Sequence, residues 1–155
     1  MPTINLQVGA EADDWEFYSS WSNTGLPTMG NFFGTARFGV RFTGIDIPAG
    51  STITAAVLTM RAPSGNAGDT GTVCRVRISG NLADNPSAPA NQAADDALTL
   101  TTAHNDWNGA PAISVDEDYV FPDITNVVTE LFNAGHLTGG KSMIILGRDN
   151  GSDSA

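Results

Sequence analysis

The sequence has a single cysteine, Cys74, so no internal disulfide can form, and it has no CxxC or Cys/His cluster of the kind that holds structural zinc. No apolar run approaches the roughly 20 residues that a membrane-spanning helix requires. The opening MPTINLQVGAEADDW lacks both the basic segment and the apolar centre of a secretory signal, and the chain is expected to be complete from Met1. Basic residues are scarce: 7 Lys and Arg stand against 17 Asp and Glu, a net charge of −10. A chain this acidic is expected to have neither nucleic acid nor an anionic membrane as its partner. Charged residues make up only 15% and hydrophobic ones 41%, which is too apolar for a disordered chain.

What the sequence has is turn-forming residues. Seventeen Gly and eight Pro, with many Thr, Asn and Ser, punctuate 155 residues, the usual length of one domain. That pattern predicts an all-β protein, residues 1–155 forming a single domain. Ile4–Val8 alternates apolar and polar residues as a first strand would. In TARFGVRFT, Ala36, Phe38, Val40 and Phe42 fall on one face and Arg37, Gly39 and Arg41 on the other, the period of a half-buried strand. Pro48, Ala49 and Gly50 make a turn before a β-rich stretch at Thr52–Ala62, in which Ala56, Leu58 and Met60 face inward. Thr72–Ser79 alternates again and is expected to bury Cys74 with Val76 and Ile78.

Residues 80–111 read as a long connection holding one short strand near Ala97–Thr102, with Trp107 anchoring its end in the core. One helix is predicted, at about 123–134. Asp123 can accept the free amide hydrogens of its first turn, and Ile124, Val127, Val128, Leu131 and Phe132 form a single apolar stripe. Gly135 suits the left-handed position after the helix, and His136 sits where its dipole favours positive charge. Ser142–Leu146 is apolar almost throughout and is expected to be a central strand, followed by a surface tail, RDNGSDSA. Several short strands with one packed helix predict a jelly-roll β-sandwich.

Catalytic patterns are sparse, and the chain does not read as an enzyme. His104-Asn105-Asp106 could pair a base with an orienting acid, but no nucleophile motif flanks it. Asp95-Asp96 and Asp116-Glu117-Asp118 read as solvated loop faces. Glu11, Asp13 and Asp14 follow the first strand, and Asp149 and Asp153 follow the last; such strand ends can meet and offer calcium its oxygen ligands. Eight of the twelve aromatics lie between Trp15 and Phe42, and Trp15, Tyr18 and Trp21, beside Asn23 and Asn31, could stack on sugar rings or else plug one end of the sandwich. Residues 37–77 hold Arg37, Arg41, Arg61, Arg75 and Arg77 against only Asp46 and Asp69, a basic island in an acidic chain. Arg37, Arg41, Arg75 and Arg77 either pair with neighbouring acids or form a docking face for an acidic partner or a second copy.

The run ARFGVRFTGIDIPAGSTITAAVLTM, the later TTAHNDW and the stretch YVFPDITNVVTELFNAGHLTGG-KSMIIL together resemble small jelly-roll domains similar to carbohydrate-binding modules. The resemblance extends from about Asp13 to Leu146. His136 and Leu137 stand where that pattern commonly has Gly-Trp, so no role of that tryptophan transfers. Versions that stand alone resemble virion components of tailed bacteriophages. The resemblance implies a capsid decoration (cement) protein, a homotrimer bound to the major capsid protein or another virion protein and made in the host cytoplasm. It also implies the alternative, a carbohydrate-binding module or host-glycan recognition domain on a head fibre or tail appendage.

Overall fold

The computed structural model describes residues 3–17, 20–22, 36–61, 74–110 and 116–152. In chain order these form β1 (Asp14–Phe17), β2 (Trp21–Ser22), β3 (Arg37–Ile45), β4 (Thr59–Arg61), β5 (Cys74–Asn81), α1 (Gln92–Asp96), β6 (Leu100–Ala110), β7 (Asp118–Val120), α2 (Thr125–Asn133) and β8 (Lys141–Asp149). One large sheet has the order β2-β1-β3-β8-β5-β6, with every pair antiparallel, and β4 and β7 form a separate pair. The architecture is mostly β and sandwich-like: a short helix and the two-stranded sheet cover one face of the large sheet.

The alternation in β3 places Phe38 and Val40 on that inner face, where they join Val76 and Ile78 of β5 and Ile145 of β8. Val127, Val128 and Leu131 of α2 close over them with Leu58 and Phe121. β8 is central, as its unbroken apolar run predicts, and Ser142 through Gly147 are buried because both faces of the strand are covered. Two glycines permit close packing. A Cβ at Gly147 would lie 2.1 Å from the Phe38 ring, and one at Gly39 would lie 2.1 Å from Trp15 on the opposite face.

The predicted helix forms. Oδ1 of Asp123 accepts the Thr125 N–H at 2.8 Å, and the Thr125 hydroxyl and N–H together hold the Asp123 carboxyl below the usual carboxylate range. At its other end Gly135 has φ +80°, the Gly135 N–H bonds to Phe132 O, and the His136 N–H bonds to Leu131 O. This pair of bonds satisfies carbonyls the helix would otherwise leave open.

Several expectations are corrected. Ile4–Val8 joins no ladder; Val8 packs on the core while Ile4 and Leu6 are 48% and 37% exposed. Of the stretch expected at Thr52–Ala62, only Thr59–Arg61 is strand among the described residues, which end at Arg61; the backbone at Ala56 and Leu58 bonds instead to Thr125, Ile124 and Phe121 between β7 and the first turn of α2. Leu58 is nonetheless buried, with Ala56 and Met60 packed beside it as expected. The long connection expected at 80–111 instead holds, among its described residues, the end of β5, a short capped helix and an eleven-residue strand, β6, from which Trp107 meets Phe121 edge-on at 4.7 Å. Asn105 on β6 bonds to the Asp123 carbonyl, and a polar residue in that position hides the strand period. Cys74 is half-buried rather than buried, and burial pushes its thiol up. The tail is tied down as far as Ser152, whose hydroxyl accepts the Arg75 N–H at 2.7 Å and donates to the Arg75 carbonyl.

Candidate functional site

Antiparallel register brings Phe17, Arg37, Arg148, Arg77 and Asp106 into one row across the large sheet. Residues directly opposite on paired strands share a face, so this row lies on the face away from α2. Arg41 on β3 and Arg75 on β5 lie an even number of residues from Arg37 and Arg77, so the four arginines singled out in the sequence come together on this outer face.

Three adjacent arginines repel unless counter-charges reach them. The segment between β5 and β6 supplies two. Arg37 Nη1 lies 3.2 Å from Asp95 Oδ2 and also bonds to Asp96. Arg148 Nη2 donates to the Asp95 backbone carbonyl at 3.0 Å and lies 3.4 Å from its Oδ2. Oδ1 of Asp95 accepts the Trp15 indole N–H at 3.1 Å. Asp95 is fully buried, against the solvated face expected from the sequence, whereas Asp96 beside it is exposed as expected. A buried carboxylate is tolerable only when charge and hydrogen bonds surround it, and two guanidinium groups and an indole do so here.

Arg41 fixes the same cover elsewhere. It donates to Asp13 at 2.7 Å, to the Pro86 carbonyl at 2.8 Å and to the Ser142 hydroxyl at 2.9 Å. Arg37 and Arg41 therefore strap residues 82–99 onto the sheet, and their side chains are only 14% and 23% exposed. Arg75 and Arg77 lie beyond the strap. Arg77 makes a two-pronged pair with Asp106 at 2.7 and 2.8 Å, which lowers the Asp106 carboxyl and raises the guanidinium. Arg75 donates to the Gly151 carbonyl at 2.6 Å. The exposed end of the outer face is thus Arg77, Asp106, His104 and Asn108 with Arg75 beside them.

The aromatic candidates separate. Trp15 is 1% exposed, packed on Gly39, Ile144 and Leu146 with its N–H committed to Asp95, so its ring is not open to a sugar; this corrects the stacking role. Trp21 is half-buried and stacks on Trp15 with ring centroids 6.3 Å apart. Tyr18 lies outside the described residues.

The calcium candidates also diverge, because successive residues of an extended chain point to opposite sides. Asp13 turns to Arg41, whereas Asp14, opposite Val40 in the ladder, turns to the inner face. Burial pushes the Asp14 carboxyl up, and its Oδ1 is shielded without a hydrogen-bond partner. Glu11 is exposed, and both oxygens of Asp149 accept N–H groups of Gly151 and Ser152. Asp153 lies outside the described residues, and among those described no three His, Cys, Asp or Glu side chains are grouped to share an ion. This corrects the calcium expectation for Glu11, Asp13 and Asp14. His104 lies exposed on β6 with Nδ1 3.0 Å from the Thr102 carbonyl, and Asp106, its suggested orienting acid, is taken by Arg77.

Two residues escaped the sequence reading. Asp95 is one; its partners are 58, 53 and 80 residues away in the chain and leave no local signal. The other is Glu130 of α2, whose two oxygens accept the Thr102 and Ala103 N–H groups at 2.9 and 2.7 Å on the edge strand β6. Compared with known proteins, the chain matches no family model, and no curated protein or solved structure is significantly similar to it.

Proposed function

We propose that the protein is a non-enzymatic structural component of a virion, most concretely a capsid decoration protein of a tailed bacteriophage. In this reading the sandwich is a jelly roll, several copies associate, with a trimer favoured, and the partner is the major capsid protein or another virion protein. The observation that carries the reading is the gathering of Arg37, Arg41, Arg75 and Arg77 on one face of the large sheet. The first two hold the strap, and the second two stand at its open end, where an acidic surface can compete for them. Each such contact is weak by itself, and several copies in one assembly convert weak contacts into stable occupancy by avidity.

The test is occupancy of capsid shells by wild type and by the double variant Arg75→Glu/Arg77→Glu. The Arg77–Asp106 pair is solvent-exposed, so its loss costs the fold little, about 1 kcal/mol or less. Occupancy is expected to collapse while the melting temperature stays close to wild type. Full occupancy by the folded variant rejects this face. The glycan-recognition alternative is left with Trp21, half-buried against Trp15, as its described aromatic.

A further inference from the structure

The two-stranded sheet has its own outward face, and the arginine face plays no part in it. β4 and β7 pair in the register Thr59 with Val120, Met60 with Tyr119 and Arg61 with Asp118. Leu58 and Phe121 are buried against the core and Met60 packs beside them, so Val57, Thr59, Arg61, Asp118 and Val120 turn outward. Val57 and Val120 are each 61% exposed and lie diagonally across the pair, where β-branched side chains reach one another. Exposed large hydrophobics are few among the described residues: Ile4 and Leu6 are the others, both less exposed than the valines, and Leu6 borders a cleft of about 250 Å3 that Val40, Phe42 and residues 58–61 also line.

Charge on this small face has both signs. Arg61 lies 3.0 Å from Asp118 and 4.0 Å from Asp116, and all three side chains are at least 60% exposed. Two copies of a chain carrying −10 repel each other over most of their surface, so a contact between them needs an apolar patch with mixed charge. This face provides both: the valines are apolar, and its cation and two acids, paired with one another within one copy, can exchange partners across a rotation axis shared with a second. We infer that the outer face of the β4–β7 sheet is where a second copy of this chain docks. The inference concerns self-association alone and does not depend on what the assembled copies bind.

Sedimentation velocity over a concentration series tests it. Wild type is expected to associate with rising concentration. Val57→Asp/Val120→Asp is expected to stay monomeric with an unchanged melting temperature, since neither side chain is in the core; Val57→Ser/Val120→Ser serves if the charged pair disturbs folding. Arg61→Asp and Asp118→Arg should each associate more weakly alone, and an equimolar mixture of the two should regain association, because only across an interface do their charges match. A wild type that remains monomeric throughout overturns the inference. So does an association that survives the valine substitutions, or a mixture no stronger than its components. Capsid occupancy, read separately, reports on the arginine face and leaves this result unaffected.

Discussion

Asp95 anchors a whole segment with one carboxylate. Its two oxygens and backbone carbonyl serve Trp15, Arg37 and Arg148, and the Nε atoms of both arginines are shielded without another partner. Asp95→Asn keeps an acceptor for the indole but removes the charge, which leaves Arg37 and Arg148 half-buried with less compensation. Breaking one side of a buried ion pair costs about 3–5 kcal/mol, and Asp96 retains some hold on Arg37, so chemical denaturation is expected to show a loss toward the lower end of that range. A loss under about 1 kcal/mol would mean that water already solvates the cluster. Asp14 predicts the opposite sign. Burial raises its carboxyl above the ordinary 3.8, so the folded state binds the proton more readily than the unfolded one and the ionised form works against folding. Asp14→Asn is expected to raise the melting temperature at neutral pH. That advantage should shrink as pH falls through the raised value, because wild type then protonates, and thermal melts at several pH values check it.

At the scale of elements, the contact between α2 and β6 solves the problem of an exposed edge. A terminal strand presents unpaired N–H groups that can recruit another chain. Glu130 takes two of them at Thr102 and Ala103, and Asn126 donates to the His104 carbonyl at 3.2 Å. Glu130→Ala should expose both amides. The expected results are faster hydrogen exchange at Thr102 and Ala103 and a stability loss of about 1–3 kcal/mol, since two donors lose their partner at once. Unchanged exchange at those amides would show that the carboxylate contributes nothing to the edge. At the opposite corner Asp84, held below the usual carboxylate range by Lys141 and then by His136, joins the end of α2 to the start of β8. His136 lies near the helix end with Nδ1 3.3 Å from Asp84, a partner in the strap segment that the sequence showed only as a loop.

For the molecule as a whole, the charge imbalance is organised. Acids outnumber bases by ten, yet the basic side chains on the outer face have acids or carbonyls placed against them. The outer face is therefore close to neutral where the strap covers it, and it is open to competition at the Arg75 and Arg77 end. Docking through that end should weaken as salt rises, because exposed charges separated by more than about 8 Å are screened at physiological ionic strength. The pairs around Asp95 should respond far less, being shielded from the ions. Self-association should depend on salt less steeply: its Arg61 pairs weaken as ions screen them, while the contact of Val57 with Val120 persists and the repulsion between acidic copies falls. Occupancy and sedimentation, each measured against ionic strength, therefore separate the two surfaces.

The sequence by itself determined the elements whose period and caps are local. The alternation of Phe38 and Val40 with Arg37 and Arg41 sets the two faces of β3, the apolar stripe with Asp123 and Gly135 sets α2, and the continuous run at Ser142–Leu146 sets a central strand. Each follows from backbone geometry and the cost of leaving apolar surface in water, both written in neighbouring residues. Only the tertiary structure decided the partners. It buried Trp15 and Asp95 together, turned Asp13 and Asp14 to opposite faces, made β6 from a polar stretch and left Ile4–Val8 unpaired. Those outcomes depend on which distant strand lies alongside and which charge it carries, and the periodicity of a single segment holds no record of its neighbour.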